Sequence, residues 1–254
     1  EEVMLVLGYT VLGYTQTILT LAMFIAIVST LSRMYSDSEM IIWLASGRSL
    51  GGFVSPVMRF AWPVLLVITL LVLFVWPWAN QQIEWQGDRQ FLMLNRGQRL
   101  ESDPTTGRIK VSQFEKYGAQ IGEASAYLGS QMALKARSSL SLVREPNPAN
   151  LGELGWRVGV ALTAFNLVLL AVATTVSNPR AGRSGNLMFT LFAFIVYFNM
   201  LNIGQRWVSA GQIHWLVLTL LLHGSVFALS ALWLAKRHHN IHWLKWFKRP
   251  DSGP

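Results

Sequence analysis

The sequence contains no cysteine, and only 13% of its 254 residues are charged. The absence of cysteine excludes a domain cross-linked by disulfides and any metal site with thiolate ligands. The sequence also lacks a phosphate-binding loop of the G-x-x-x-x-G-K type, and its long apolar runs contain no clustered pair of acidic residues. These absences argue against nucleotide hydrolysis or acid–base catalysis within this chain, which we predict is not an enzyme.

Long apolar runs are abundant, since 52% of the residues are hydrophobic. A helix needs about 20 apolar residues to cross a hydrocarbon core roughly 30 Å thick. Five runs reach that length, at residues 11–31, 60–79, 156–176, 187–205 and 213–235. Each run is predicted to be helical, because a segment in lipid must satisfy its own backbone hydrogen bonds. The predicted fold class is therefore an α-helical polytopic membrane protein.

The basic residues orient these helices and account for the net charge of +8. In a soluble domain such a charge would suggest nucleic acid, but here many cations lie at the ends of apolar runs, where anionic lipid explains them better. We therefore predict no nucleic-acid partner. The positive-inside rule places the basic loops 32–59 and 177–186 and the tail after residue 235 in the cytoplasm. Residues 80–155 and 206–212 then lie outside.

This orientation places Glu1 outside the membrane without a targeting segment. We therefore expect a sixth transmembrane helix ahead of residue 1, with both ends of the full protein cytoplasmic. The predicted organisation has four parts. They are a first transmembrane part at 1–79, an outer β-domain remnant with a linker at 80–150, a second transmembrane part of three helices at 151–236, and a basic cytoplasmic tail at 237–254.

The polar segment 80–150 contains two stretches with the alternation of β-strands. Strands are predicted at 91–95 and 108–117, with turn-forming residues at 102–107 between them. A lone hairpin is marginal in water, so we expect that most of a β-domain is missing near residues 84–86. The next transmembrane helix is predicted to begin at Asn150 or Gly152.

The charged stretch at 31–49 predicts one short helix over residues 36–47. Ser38 is expected to cap it, Glu39 to lie in its first turn beside the positive end of the dipole, and Gly47 to end it. An apolar stripe at helical spacing follows the cap, formed by Ile41, Ile42, Leu44 and Ala45. Such a helix across the ends of two spans suits docking into a groove on a partner protein. The alternative is an ordinary interfacial loop helix.

The order of these elements resembles the YjgP/YjgQ permeases, the membrane subunits of the lipopolysaccharide export transporter of Gram-negative bacteria. Four short motifs carry the resemblance besides that order. They are Tyr35-Ser36-Asp37-Ser38-Glu39 with Ala45-Ser46-Gly47, Leu94-Asn95-Arg96-Gly97 with Arg99, Glu153-Leu154-Gly155-Trp156-Arg157, and Asn178-Pro179-Arg180-Ala181-Gly182-Arg183. The last motif resembles the loop of the LptF branch of that family rather than that of the LptG branch.

The resemblance implies the transmembrane subunit of an ABC transporter that extracts lipopolysaccharide from the inner membrane and passes it to a periplasmic bridge for transport to the outer membrane. It implies a multi-pass protein of the bacterial inner membrane with a periplasmic β-jellyroll after the third family span, mostly missing here. The implied partners are the paralogous permease LptG, an LptB ATPase dimer, the bridge proteins LptC and LptA, and lipopolysaccharide. No cofactor is implied in this chain, because ATP and magnesium would belong to the ATPase.

The resemblance also makes the helix at 36–47 a coupling helix. Glu39 would be its key residue, because a partly desolvated carboxylate forms strong, directional hydrogen bonds with an arginine or backbone donors in the ATPase groove. The other predicted contact residues are Ser38, Met40, Ile41, Trp43 and Leu44. The alternative for Glu39 is a simple dipole partner of its own helix.

The span at 187–205 would form a lateral gate in this family. Its polar residues Asn199, Asn202 and Gln205 recur, together with Arg206 just beyond the span, at i, i+3, i+6 and i+7. Polar groups within a span usually face protein or a water-filled cavity, so this stripe is predicted to face the gate or the lipid cavity. Hydrogen bonding between helices is an equal alternative. Arg206 either contacts lipid phosphates or extends to the interface.

Two other functional classes remain. A mechanotransmitting ABC subunit would drive a periplasmic domain without moving lipid through its spans, and the polar stripe argues against it. An intramembrane enzyme would need paired acids, bases or histidines deep in the spans, where His223 is the one residue of that kind. His238, His239 and His242 are predicted to lie among lipid headgroups, so no metal site is predicted.

Overall fold

The computed structural model of the chain describes residues 2–46, 50–87, 92–102, 109–119, 133–175 and 182–238. Within these ranges, five helices are long and apolar enough to cross a membrane. They are Met4–Ser36, Gly51–Glu84, Pro148–Thr174, Gly185–Ser209 and Trp215–Lys236. Each contains most or all of one predicted apolar run, so the predicted polytopic helical class is confirmed.

The first half of the chain is helical up to the polar segment. Its elements are α1 (Glu2–Ser36), α2 (Glu39–Ala45), a 3₁₀ turn (Leu50–Phe53), α3 (Val54–Leu70), a π-helical segment (Leu71–Val75) and α4 (Trp76–Gly87). The second half contains α5 (Ser139–Arg144), α6 (Pro148–Thr174), α7 (Gly182–Ser209) and α8 (Trp215–His238). The helices extend beyond the apolar runs because hydrophobicity marks only the part of a helix that lies in lipid.

Helix α6 begins earlier than the sequence pattern predicted. The side chain of Asn147 accepts a hydrogen bond from the Asn150 amide at 2.8 Å, and Pro148 takes the first helical position. The prediction that this helix begins at Asn150 or Gly152 is therefore wrong. Asn147 as the cap and Pro148 fix the first residue of the helix, whereas the sequence becomes apolar only farther along the helix.

The chain forms two compact units, residues 1–13 with 76–137 and residues 14–75 with 138–254. The first unit contains an antiparallel hairpin of β1 (Leu92–Ser102) and β2 (Ile109–Ala119), in which Leu92 lies opposite Ala119 and Ser102 opposite Ile109. The two predicted strands are confirmed and are longer than predicted. The turn at 103–108 lies outside the described residues. The jellyroll, the sixth helix and the four-part domain division stay predictions.

In the second unit, α6 is the central helix. About 67% of its most apolar stretch is buried, against 11–39% for the other four spanning helices. Phe24 and Val28 of α1 pack in one core cluster with Leu167 of α6 and with Phe194 and Tyr197 of α7. Helices in lipid associate through such close packing and through polar bonds, because lipid tails are as apolar as the side chains themselves.

Gly152 lies where α6 packs closely against the end of α7. A Cβ atom at this position would overlap Ser209 Oγ and lie 3.0 Å from the Ser209 backbone nitrogen and 3.1 Å from the Gln205 carbonyl oxygen. Because two of these three atoms are backbone, they cannot be moved by a change of rotamer. The helix pair therefore depends on a residue without a side chain here.

We expect Gly152→Ala to lower the free energy of unfolding by about 1–3 kcal/mol, since overpacking forces the backbones apart. Reversible unfolding in mixed detergent micelles measures this change. Gly155→Ala is the matched control on the same helix, because its Cβ would meet Trp215 Cβ at an ordinary 3.9 Å. Equal stability losses in the two variants would contradict the packing argument.

Candidate functional site

The short helix α2 joins the ends of two membrane spans, as the sequence predicted. It covers seven residues, Glu39–Ala45, and is therefore shorter than the predicted 36–47. Two backbone hydrogen bonds form the turn from α1, from the Asp37 amide to the Arg33 carbonyl at 2.9 Å and from the Ser38 amide to the Tyr35 carbonyl at 3.2 Å. The chain thus changes direction within two residues.

Ser38 occupies the N-cap position but does not cap the helix with its side chain. Its backbone is left-handed, with φ 61° and ψ 4°, and its hydroxyl makes no capping hydrogen bond. The prediction of a side-chain cap is therefore wrong. A capping serine has an extended backbone, whereas this residue forms the tight turn out of α1 at a cost of roughly 1–2 kcal/mol.

The other end of α2 is closed by Ser46. Its amide donates to the Ile42 carbonyl at 3.0 Å, and its hydroxyl donates to the Trp43 carbonyl at 2.7 Å. These bonds satisfy carbonyls that the helix end would otherwise leave without a partner. Gly47, which the sequence suggested as the stop, lies outside the described residues.

Met40 anchors α2 to the transmembrane bundle. Its side chain is 1% exposed and packs against Leu31 of α1 and Val172 of α6. The prediction that Met40 adds apolar area to a docking face therefore needs correction, because a partner cannot reach it. On a helix lying across a bundle, one side must face inward, and Met40 occupies that side.

The outward side of α2 is apolar around one carboxylate. Ile41 is 61% exposed and Ile42 is 71% exposed, and Glu39 is exposed in the first turn. Trp43 and Leu44 flank the anchored side and are less exposed, with Trp43 in edge contact with Phe53. Apolar side chains presented next to a charge on an anchored helix are typical of a protein-binding surface.

An apolar cavity of about 520 Å³ lies beside α2, among α1, the 3₁₀ turn and α3. Its lining residues are Ala26, Ile27, Thr30, Leu31, Met34, Trp43, Gly52, Phe53, Pro56, Val57 and Phe60. One face of Trp43 borders this space. Trp43 is therefore 44% exposed, whereas Met40 is 1% exposed and fixes the helix to the bundle.

The predicted polar stripe of α7 divides into two pairs. Asn202 Oδ1 accepts a hydrogen bond from Trp156 Nε1 at 2.9 Å, and Gln205 Nε2 donates to Glu153 Oε2 at 2.9 Å. Both bonds reach α6. For Asn202 and Gln205, the structure therefore agrees with hydrogen bonding between helices rather than with a side chain facing the gate or lipid cavity. They hold α7 against the central helix.

The other two stripe residues point elsewhere. Asn199 is exposed, and its side-chain amide donates to the Ile195 carbonyl of its own helix at 2.8 Å. Arg206 is exposed at the outer end of α7. The structure therefore does not bring the four predicted residues together, and Asn199 and Arg206 alone remain candidates for a gate or lipid contact.

A buried ion pair on α6 was missed at the sequence level. Arg157 Nε lies 3.0 Å from Glu153 Oε1, and the two side chains are 0% and 1% exposed. Charged residues within a membrane protein are costly and are usually retained for a function. The i, i+4 spacing of opposite charges at the head of an apolar run was the signal that could have revealed the pair.

A second buried polar cluster joins the three spanning helices of the second half, α6, α7 and α8. Asn166 Nδ2 donates to Tyr197 Oη at 2.8 Å and to the His223 carbonyl at 3.0 Å, and Tyr197 Oη lies 2.7 Å from His223 Nδ1. His223 thus holds helices together. In the described ranges, no three His, Asp or Glu side chains lie close enough to hold a metal. The side chain of His238 and the whole of His239 and His242 lie outside what the structure describes.

Comparison with known proteins places this geometry in a family. The family described as lipopolysaccharide export system permease LptF/LptG matches residues 1–86 and 81–237. The chain is also 21% identical over 268 residues to the lipopolysaccharide export system permease protein LptF of Escherichia coli K12, of Escherichia coli O157:H7 and of Shigella flexneri. Each alignment covers 77% of this chain and 72% of the relative. Since this match spans most of the sequence, the chain belongs to the LptF/LptG family of lipopolysaccharide export permeases, multi-pass transport subunits of the bacterial inner membrane.

Proposed function

We propose that this permease works as the transmembrane subunit of an ABC transporter that lifts lipopolysaccharide out of the inner membrane and passes it to a periplasmic bridge. The observation that carries the proposal is α2, which is anchored by the buried Met40 while it presents Glu39, Ile41 and Ile42 outward. A transport subunit whose sequence lacks a phosphate-binding loop needs energy from a partner, and α2 is a suitable place to receive it.

The partner that drives transport is a dimer of the ATPase LptB, which holds the ATP and magnesium. Its groove accepts α2, with Ile41 and Ile42 on apolar surface and Glu39 on an arginine or on backbone donors. A charge-assisted bond of this kind is shorter and about twice as strong as a neutral one. Because Met40 ties α2 to α1 and α6, a displacement of α2 by the ATPase moves these spans directly.

The paralogous permease LptG completes the membrane part, and the bridge proteins LptC and LptA receive the lipid. Helix α7 forms one side of the lateral gate. Its exposed Asn199 and Arg206 face the lipid, and Arg206 at the outer end suits the phosphates of the lipopolysaccharide headgroup. Asn202 and Gln205 hold the helix against α6.

The first test is to purify the native full-length protein in mild detergent and to identify what accompanies it by mass spectrometry. We expect a homologous permease, an ATPase dimer and bound lipopolysaccharide. A homodimer without an ATPase would refute the proposal. An ATPase complex that neither binds nor releases lipopolysaccharide would instead support the mechanotransmitting alternative, in which the spans drive a periplasmic domain without moving lipid.

A further inference from the structure

A continuous line of hydrogen bonds connects four elements around the buried ion pair. Ser139 Oγ donates to the Leu73 carbonyl at 2.6 Å, and Arg157 Nη1 donates to the same Ser139 oxygen at 2.8 Å. Arg157 Nε then donates to Glu153, and Glu153 accepts from Gln205. The line therefore joins the π-helical segment, α5, α6 and α7, all within the second unit.

The Leu73 carbonyl lacks its regular α-helical donor because of the residue four positions later. In an α-helix it would accept a bond from the amide of residue 77, but Pro77 has no N–H. The helix widens into a π-helical segment at Leu71–Val75, as helices often do where their regular ladder is broken. Ser139 supplies a donor to this carbonyl from outside the helix.

The ion pair is better explained by positioning than by stability. Glu153 and Arg157 are 1% and 0% exposed, so neither side chain contacts lipid or solvent. A buried pair is often no more stabilising than apolar residues of the same size, because the charges lose their hydration. Its directional bonds, however, fix three neighbours in one arrangement: Ser139, Gln205 and, through Ser139, Leu73.

We propose that Glu153, Arg157 and Ser139 form a joint that makes α5 move together with the gate helix α7. Helix α5 lies in the part of the polar segment that follows the β-hairpin, so a movement of α7 would be passed to the chain that returns from that hairpin. This inference rests on the proposed function, in which α7 is a gate. The three residues are positioning residues, since they act on α7 through Gln205 rather than on lipid.

Distances between spin labels in the full complex test the joint. The chain has no cysteine, so cysteines introduced by Val143→Cys on α5 and Ala210→Cys just after α7 give one labelled pair, both at exposed positions. A second pair, Ala210→Cys with Ile18→Cys on α1, reports the movement of α7 itself. Each pair is measured in the complex reconstituted in nanodiscs, without nucleotide and with ATP trapped.

We expect the 143–210 distance distribution to stay narrow, with a constant mean, when ATP is trapped. The mean 18–210 distance should change. In Ser139→Ala, the 143–210 distance should broaden and change with nucleotide, because α5 no longer follows α7. Lipopolysaccharide released per ATP hydrolysed should fall roughly 2- to 30-fold, the range seen when coupling residues are altered. Ser141→Ala is the matched control on the same helix, since its hydroxyl bonds the Ser138 carbonyl; it should behave as wild type.

Two results would overturn the joint. One is a 143–210 distance that changes with nucleotide in the wild type, and the other is a constant distance in Ser139→Ala. If the complex still extracts lipopolysaccharide, either of these results refutes the joint but leaves the proposed function intact. A wild-type complex that hydrolyses ATP but never releases lipopolysaccharide would refute the proposed function, and the joint would fall with it.

Discussion

Replacing Arg157 by methionine is expected to lower the free energy of unfolding of the transmembrane bundle by about 3–5 kcal/mol. The variant leaves Glu153 as a buried carboxylate with Gln205 as its remaining partner among the bonds described above. It also removes the donor to Ser139. Methionine resembles the arginine stem in length, so the loss comes from the broken ion pair with Glu153 rather than from a large cavity. Reversible unfolding in mixed micelles measures it.

The double variant Glu153→Gln with Arg157→Met separates charge from packing. It removes both charges and keeps an amide that can still pair with Gln205, so we expect it to recover most of the lost stability. Arg206→Met is the matched control, because this arginine is exposed on α7 and its replacement should change stability by less than about 0.5 kcal/mol. Strictly additive losses in the double variant would show that the two charges do not act as a pair.

The elements of this fold that follow from local rules could be predicted from the sequence. The thickness of the bilayer sets the length of an apolar span, and five runs of that length became five helices. The hairpin followed from the alternation of residues and from the turn signal at 102–107. The short helix α2 followed from its acidic first turn and its apolar spacing.

The orientation of side chains depended on contacts far apart in sequence and could not be predicted. The resemblance made Met40 a contact residue of the coupling helix, but it did not show that α1 and α6 cover this side chain. Likewise, helical spacing grouped Asn202 with Gln205 but did not reveal their partners Trp156 and Glu153, which lie 46 and 52 residues earlier. The left-handed backbone of Ser38 arises from the direction in which α2 must run, and no residue preference indicates it.

Some signals were present in the sequence and were not used. Pro77 removes the donor that the Leu73 carbonyl would accept in a regular α-helix, which favours an additional donor from outside the helix such as Ser139. Opposite charges four residues apart at Glu153 and Arg157, at the start of an apolar run, are typical of a buried pair rather than of a solvated face. Both signals mark polar groups that are costly to bury without a hydrogen-bond partner. Such groups show where a membrane helix requires a neighbouring helix.

Glu39→Ala is expected to abolish ATP-driven release of lipopolysaccharide while the permease stays folded. Glu39 is exposed in the first turn of α2, so its removal costs the chain only the dipole contribution of about 0.3–1 kcal/mol. A hydrogen bond to a charged group in the ATPase is worth about 1.5–3 kcal/mol, so affinity for the ATPase should fall roughly 10- to 150-fold. Lipid release and ATP hydrolysis in proteoliposomes, with copurification of the ATPase, measure the loss.

The control Asp37→Ala decides between the two roles of Glu39. Asp37 is an exposed carboxylate two residues earlier, outside α2, so a general loss of negative charge would affect both variants alike. If Glu39 serves only the dipole of its own helix, Glu39→Ala binds the ATPase and transports lipid at the wild-type rate. This result would refute the coupling role of Glu39. If α2 docks through Glu39, only Glu39→Ala fails. The anchor formed by Met40 is unchanged in both variants, so a failure of Glu39→Ala alone locates the defect at the outward face of α2.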